Sequence, residues 1–475
     1  MSTSDTETVA TRAVLAAQPP PGRRKMPVGS LTVGQLRDLA RLGQLDTVLL
    51  AVPDLQGRLK GKAYAAGHFV ERVLGPGAEM CAYLLATDVD MRPVDGFALT
   101  SWEAGYQDLR VVPDPETLRM IPWMPRTALM LGTAVDAAGM PLPVAPRQML
   151  REQLDRLAEH DLHVKVGVEA EFVVCRQPGD DAGLGGEPVP VVAENLDYAL
   201  DHPPALDRYL RRLQAGLLGA GRPVEAIKTE AAPGQVEVTF PYGDPLKACD
   251  GHLLLKHAAR RIGARSRLLP TFMAAPVTGV GSGLHLHLSL WRDGRPLAAP
   301  GEGGGVAPVV GRAIAGLLAA LPELAVLYAP NTNSYRRYTP DSFAPTRMVW
   351  GRDNRTCAVR MVGHAHQSHL EIRVPGADAN PYLALAAVVA AIRHGLEHDL
   401  PLPPAHLGSA YAHPEAPRFP PTLNEAEAAF RSSKVAEETF GKATIAHYAR
   451  LAQIEIEHAR TAVPDTERAR WLTRA

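Results

Sequence analysis

The segment VGVEAEFVV places Glu169 and Glu171 two residues apart, on one face of an otherwise apolar strand pattern. Paired carboxylates repel one another and are costly to bury unless positive charge sits beside them. A solvent-facing edge strand with surface glutamates fits this pair equally well. Downstream, KTEAAPGQVEV holds Glu230 and Glu237 on either side of Pro233–Gly234. A turn there lets the two carboxylates converge, although a surface hairpin has the same spacing. GSGLHLHLSL then aligns His285, His287 and Ser289 on one strand face behind a glycine-rich turn, which leans towards ligand or phosphate contact.

The stretch NSYRRYTPDSFAPTRMVWGRDNRTCAVR is dense in arginine, with Arg336, Arg337, Arg347, Arg352, Arg355 and Arg360. Solvated charge is the ordinary explanation for such density. Interleaving with Phe343, Trp350 and a strand-like TCAVR turns some of these arginines inward, where a guanidinium fork needs a carboxylate or phosphate. HLEIRVPGADANPY adds Glu371 and Arg373 on one face. Five carboxylates (Glu169, Glu171, Glu230, Glu237, Glu371) and a histidine form an oxygen-rich ligand set that suits Mg²⁺ or Mn²⁺ better than zinc. Arginines beside two such ions are what phosphoryl transfer from ATP requires.

These groups need rigid elements to hold them. Leu31, Leu36, Leu39 and Leu42 recur at helical spacing behind Thr32, a cap residue, and Thr47 to Val52 reads as a buried strand. A helix is expected from Pro146 to Glu159, with proline at its start, followed by a strand from Val164 to Val174. Further strands are expected near 235–240, 284–290 and 356–362. An Ala-rich helix opens at Asn380–Pro381 and another covers 441–461. The class is α+β, divided into a tail over 1–29, a small first domain over 30–125 and a large one over 126–475.

Composition bounds the function class. The 475 residues carry 50 Lys+Arg against 51 Asp+Glu, and 46% are hydrophobic. So even a balance argues against a nucleic-acid or membrane-surface binder. The four cysteines show no CxxC spacing, which points to a reducing cytoplasm. No apolar run is expected to reach the about 20 residues of a membrane span. The first residues lack the order of a secretory signal, and their Ser/Thr/Ala content and Pro19–Pro21 run read as a disordered tail.

Taken in order, E-x-E, E-x6-E with an internal PGQ, GSG-x-H-x-H, NSY-R-R, DNRT and E-x-R before NPY resemble the glutamine synthetase family from about residue 30 onwards. The resemblance implies a β-grasp-like first domain, a catalytic domain on a curved antiparallel sheet, and a dodecamer of two hexameric rings with active sites between subunits. It implies that Glu171, Glu230 and Glu237 hold one metal ion and that Glu169, His285 and Glu371 hold a second. Arg337 and Arg373 match arginines facing glutamate and the transferring phosphate, and Gly281 matches a backbone contact to glutamate. Arg355 and Arg360 match phosphate-facing arginines, and Glu225, His287 and Ser289 match ATP contacts. Asp54 matches an aspartate that reaches into the neighbour's site, and is the expected base for the amine.

Departures from the family pattern are informative. Ammonia-using members carry a glutamate just before Ala-Pro in the flap, where this chain has Phe343 in RYTPDSFAP. A benzyl group neither holds ammonium by charge nor accepts its proton, but it can wall the carbon stem of a larger amine. DLQGRLKGK around Asp54 further resembles the branch that makes γ-glutamyl amides of polyamines or ethanolamine. The expected reaction is therefore ATP-dependent joining of the glutamate γ-carboxylate to a primary amine through γ-glutamyl phosphate. A true glutamine synthetase and a relative that has lost catalysis are the alternatives. Val280 replaces the family's asparagine before GSG, and His398 stands where some bacterial members carry an adenylylated tyrosine.

Overall fold

A computed structural model describes residues 29–178, 188–297, 305–363, 368–413 and 415–475. The expected disordered tail falls outside them apart from Gly29, as does most of the loop between the first long strand and residue 190. The chain opens with helix α1 (Val33–Arg41), where Thr32 and Gln35 form a reciprocal capping box. Strands β1 (Thr47–Pro53) and β2 (Leu59–Ala65) form an antiparallel pair. The single turn α2 (Ala66–His68) leads to β3 (Ala78–Cys81), β4 (Asp108–Pro113), β5 (Arg119–Met120) and β6 (Thr127–Val135). They assemble in the order β2-β1-β6-β4-β3, with β1 parallel to β6 and β5 on the flank of β6. This small mixed sheet runs through Val135, past the division at residue 125 read from the sequence. The difference has a simple cause: β6 is buried along nearly its whole length because it is the sheet's central strand, so it carries no alternating signal of its own.

Helix α3 (Pro146–Ala158) starts at its proline and leads into the 14-residue strand β7 (His163–Arg176), the spine of the second sheet. The remaining strands are β8 (Val189–Pro190), β9 (Ala226–Thr229), β10 (Gln235–Thr239), β11 (Leu268–Thr271), β12 (Leu284–Arg292), β13 (Arg295–Pro296), β14 (Trp350–Arg352), β15 (Val359–Val362) and β16 (His369–Ile372). Their main path is β14-β15-β16-β12-β7-β10-β9, antiparallel except for the parallel β14–β15 pair. Helices α4 (Pro204–Gly219), α5 (Pro245–Arg265), α6 (Pro308–Ala320) and α7 (Pro381–Glu397) accompany this sheet, followed by α8 (Leu423–Ser432), α9 (Lys434–Thr461) and α10 (Asp465–Trp471). The α9 span is broken at Gly441, whose φ of 76° interrupts the helix.

One sequence expectation is corrected here. Pro308–Leu327 is 20 residues long with a mean hydropathy of 1.7, so a run of spanning length does exist. Two-thirds of it is buried inside the protein, with α6 against α7. Gly316 and Gly395 let these helices meet backbone to backbone, since a side chain at either would strike the other helix's main chain. It is a core helix, and its apolar length follows from being covered over most of its surface.

Candidate active site

The strand registers explain how distant glutamates meet. On β7, Val168, Ala170 and Phe172 point into the core, so the intervening Glu169 and Glu171 must share the opposite face. Across from them, β10 places Glu237 beside Glu171, and β12 places His285 beside Glu169. One strand further, Glu371 on β16 lies opposite His287, and Arg360 on β15 lies opposite Glu371. The β9–β10 turn then brings Glu230 back towards Glu237. Gly234 makes that turn possible: its φ is 70°, and a Cβ there would lie 2.6 Å from the Val174 carbonyl oxygen.

Three overlapping groups of ligand atoms result, each within 4.8 Å of one another: Glu171/Glu230/Glu237, Glu169/Glu171/His285 and Glu169/His287/Glu371. The first is the triad inferred for one ion. The set inferred for the second ion, Glu169, His285 and Glu371, is split between the other two groups, with His285 Nδ1 2.6 Å from Glu169 and 3.7 Å from Glu371. His287, read from the sequence as an ATP contact, comes within 3.3 Å of Glu169 as well, and bonds through its other nitrogen to His369 at 3.0 Å.

Charge in this cluster is unbalanced in the way a cation site requires. Burial, the Glu169 charge and the shared contact with Glu230 push the Glu237 carboxyl up to about 9. Burial also works against ionisation of Glu169, but its bonds to His285 and His287 outweigh this and hold it well below the usual range. Glu371 is likewise depressed, with burial outweighed by Arg373 and the two histidines. Carboxylates forced this close fit a hard divalent ion, Mg²⁺ or Mn²⁺, which they would hold through oxygen.

A pH dependence follows. Glu237 titrates at about 9 in the fold against an ordinary 4.5, so the folded chain binds this proton more tightly. That contribution to stability is complete below the ordinary value and is lost as pH rises through about 9. Ion binding requires the proton to leave. Calorimetry of Mn²⁺ binding at about pH 7 in buffers of differing ionisation enthalpy should therefore show proton release, and stabilisation by Mn²⁺ should grow towards pH 9. Proton-neutral binding would contradict the assignment.

The arginines line the other side. Arg373 is ion-paired with Glu371 and donates to the Phe343 carbonyl at 3.3 Å. Arg360 bonds Glu371 at 2.9 Å and is paired with Asp353. Arg337 is buried, with its Nη1 donating to the carbonyls of Arg373 and Val374 and its Nη2 3.3 Å from His285. The Nε–H groups of Arg360 and Arg373 are buried without an acceptor, so donors beside Glu371 remain for an anion. Arg355, by contrast, lies exposed at the turn before β15.

The GSG loop closes over the cluster. Gly283 N–H donates to Glu171 Oε2 at 2.7 Å, and Gln235 donates to Glu171, to the Gly281 carbonyl and to Ser282. A Cβ at Gly281 would lie 2.9 Å from the Arg337 side chain, and one at Gly283 2.8 Å from its Nη2. In the sequence Gln235 stands out only as part of the PGQ motif. Its position between two glutamates was the available signal. A cleft of about 710 Å³ runs alongside, lined by Glu169, Glu225, His287, Ser289, Tyr242 and Trp291. Ser289 accepts from the Trp291 indole at 2.8 Å, and Lys165 stands 3.5 Å over that ring.

Asp54 lies apart from the glutamate cluster of its own chain. Its carboxylate is wholly buried, accepts from the backbone N–H groups of Gln56 and Arg58, pairs with Arg58 Nε at 2.7 Å and lies 3.6 Å from Lys60. None of these partners belongs to the glutamate cluster. Within one chain Asp54 thus ties down the β1–β2 hairpin; the role as base that the resemblance implies concerns a neighbouring subunit's site. Phe343 is 63% exposed on the flap, with a left-handed φ of 58°, and Asp341 adopts φ 62° two residues before it. The flap is tied down through backbone: Arg373 holds the Phe343 carbonyl and the Tyr411 hydroxyl holds that of Ala344 at 3.0 Å.

Comparison with known proteins matches this geometry to a family. Residues 143–471 match the glutamine synthetase catalytic domain. The chain is 44% identical over 463 residues to the γ-glutamylethanolamide synthetase of Streptomyces coelicolor, covering 96% of this chain and 99% of that protein. It is 32% identical over 446 residues to a glutamate–isopropylamine ligase of a Pseudomonas species, covering 92% and 97%. Among solved structures, a GmaS/ADP complex superposes with a TM-score of 0.78 at 28% identity, over 92% of this chain and 99% of that one. With its catalytic domain matched and its α+β fold shared, the chain belongs to the glutamine synthetase family.

Proposed function

We propose that the chain is an ATP-dependent ligase joining the γ-carboxylate of glutamate to a small primary amine. The observation that carries this is Phe343: an exposed benzyl group at the tip of a flap whose backbone is anchored, through Arg373, to a buried carboxylate of the cluster. The ligases of ethanolamine and isopropylamine among its relatives support the same reading.

The chemistry has two steps. An oxygen of the γ-carboxylate attacks the γ-phosphorus of ATP, releasing ADP, and the amine nitrogen then attacks the acyl carbon, releasing phosphate. The ammonium form has no lone pair, so its proton must be lost first. Divalent ions, held by Glu171, Glu230 and Glu237 and by Glu169, His285 and Glu371, would supply charge neutralisation at the phosphates. Arg337 and Arg373 orient the carboxylate and the transferring phosphoryl group, and Arg360 adds a donor beside Glu371. ATP would occupy the cleft beside Glu225, His287 and Ser289. The flap segment SYRRYTPDSFAP carries two arginines and one aspartate, so a polyamine's further ammonium groups find no surplus of carboxylate there. A short amine with a neutral tail, ethanolamine foremost, suits it better.

We further assign a homo-oligomer of two stacked six-membered rings, on the family resemblance. The division into a small first domain and a large catalytic one is part of the same reading, with the boundary after β6. Four free cysteines support a cytoplasmic setting.

Phosphate release from ATP and glutamate, compared across ammonium, ethanolamine, isopropylamine, putrescine and spermidine, tests the function. Ethanolamine should exceed ammonium by about tenfold or more in kcat/KM. Restoring the flap acid, Phe343→Glu, should narrow or invert that ratio. Ammonium as the preferred substrate of the unaltered protein would overturn the reading.

A further inference from the structure

Lys228 has no part in the roles described so far. On β9 it stands two residues before Glu230 and directly across from Glu237 on β10, so its side chain runs beside the first carboxylate triad. Its ammonium is ion-paired with Glu230, lies 3.6 Å from Asp197 Oδ1 and stands 4.1 Å from the centroid of the Tyr198 ring. Tyr198 holds that place with a left-handed φ of 57°, and its N–H bonds the Thr229 carbonyl at 3.2 Å. The ammonium thus has two adjoining berths, one on the triad and one on the Asp197–Tyr198 platform.

We propose that Lys228 is a tethered counter-cation of the first ion site. It neutralises Glu230 until a divalent cation arrives, and then moves onto Asp197 and Tyr198. The inference rests on reading Glu171, Glu230 and Glu237 as an ion site. Two cations cannot share the Glu230 carboxylate without mutual repulsion, so the ammonium must yield. The move is short, since Asp197 already lies within ion-pair distance. It also runs outward: the Asp197 side chain is 39% exposed against 19% for Glu230, so the ammonium regains water as it leaves. Lysine suits the task because its single point charge turns freely on a flexible stem. The ion must therefore compete with a built-in cation on Glu230 as well as with the proton on Glu237, which lowers its affinity.

The test counts Mn²⁺ binding to the full chain, stripped with a chelator and without nucleotide, by the paramagnetic resonance signal of free Mn²⁺. Lys228→Met removes the competitor and should tighten the first ion about tenfold. Lys228→Arg keeps the charge but clasps Glu230 with a bidentate fork, and should weaken that ion about fivefold. A purely long-range charge effect would leave the arginine variant at the wild-type affinity, which would overturn the proposal, as would a methionine variant that binds no tighter. If the unaltered protein binds no Mn²⁺, the ion-site reading fails and the inference with it. If it binds Mn²⁺ and neither variant shifts the affinity, only the role of Lys228 fails.

Discussion

Replacing Glu171 with glutamine is expected to lower kcat/KM about a thousandfold while leaving the fold intact. Glu171 belongs to two of the three ligand groups, so its loss affects both ion positions. Its Oε2 is held by the Gly283 N–H and the Gln235 amide, which leaves Oε1 for an ion. A glutamine there keeps its oxygen on the Gly283 N–H and turns its NH₂ towards the ions, presenting donors where a lone pair is required. The charge stabilisation that two metal ions supply is worth several kcal/mol, and each 1.36 kcal/mol is a tenfold change in rate, so a thousandfold is about 4 kcal/mol. Removing one carboxylate from a crowded set also relieves repulsion, so chelator-treated Glu171→Gln should melt no lower than the parent. Steady-state kinetics and thermal melts together check this. Activity within tenfold of the parent would mean that Glu171 is a surface carboxylate after all.

The second large effect is expected at Arg373. This guanidinium joins the catalytic cluster to the amine flap, through Glu371 on one side and the Phe343 carbonyl on the other. Arg373→Met leaves Glu371, 1% exposed, with Arg360 as its remaining arginine partner, a loss of about 3–5 kcal/mol in stability for a broken buried pair. It also loosens the flap at Phe343, leaving the Tyr411 bond to Ala344 as its tie, so kcat/KM should fall about a hundredfold or more. Arg373→Lys restores charge beside Glu371 but cannot span to the flap carbonyl, because one ammonium lacks the fork's reach. The lysine variant should therefore recover stability while its KM for the amine stays raised. A lysine variant with an unchanged amine KM would remove Arg373 from the positioning of Phe343.

Much of this site was legible in the chain before any coordinates. Alternation holds along β7 from Val168 to Phe172, so the sharing of one face by Glu169 and Glu171 could be read from the two-residue spacing alone. The glycine between Glu230 and Glu237 likewise announced the turn that brings them together. What spacing could not supply was register. Glu237 meets Glu171, and His285 meets Glu169, only because β10 and β12 flank β7 in this particular alignment, and strand order is set by the whole core. The partners of Asp54 were hidden for a related reason: Arg58 and Lys60 follow it closely in the chain, but only the β1–β2 hairpin shows that both fold back onto its carboxylate. Lys228 went unnoticed because an isolated lysine on a short strand ordinarily points to solvent, and Asp197 and Tyr198 come from a distant loop. The apolar run at Pro308–Leu327 was overlooked because Arg312 and Glu323 interrupt it in the sequence.

The most direct test of the central claim is a competition. The protein, with ATP, glutamate and Mg²⁺, is given equal ammonium and ethanolamine, and the products are separated by mass. The account predicts γ-glutamylethanolamide as the dominant product, formed in step with ADP and phosphate. Glutamine as the dominant product would contradict it, and would reduce Phe343 to a tolerated substitution in an ammonia-using enzyme.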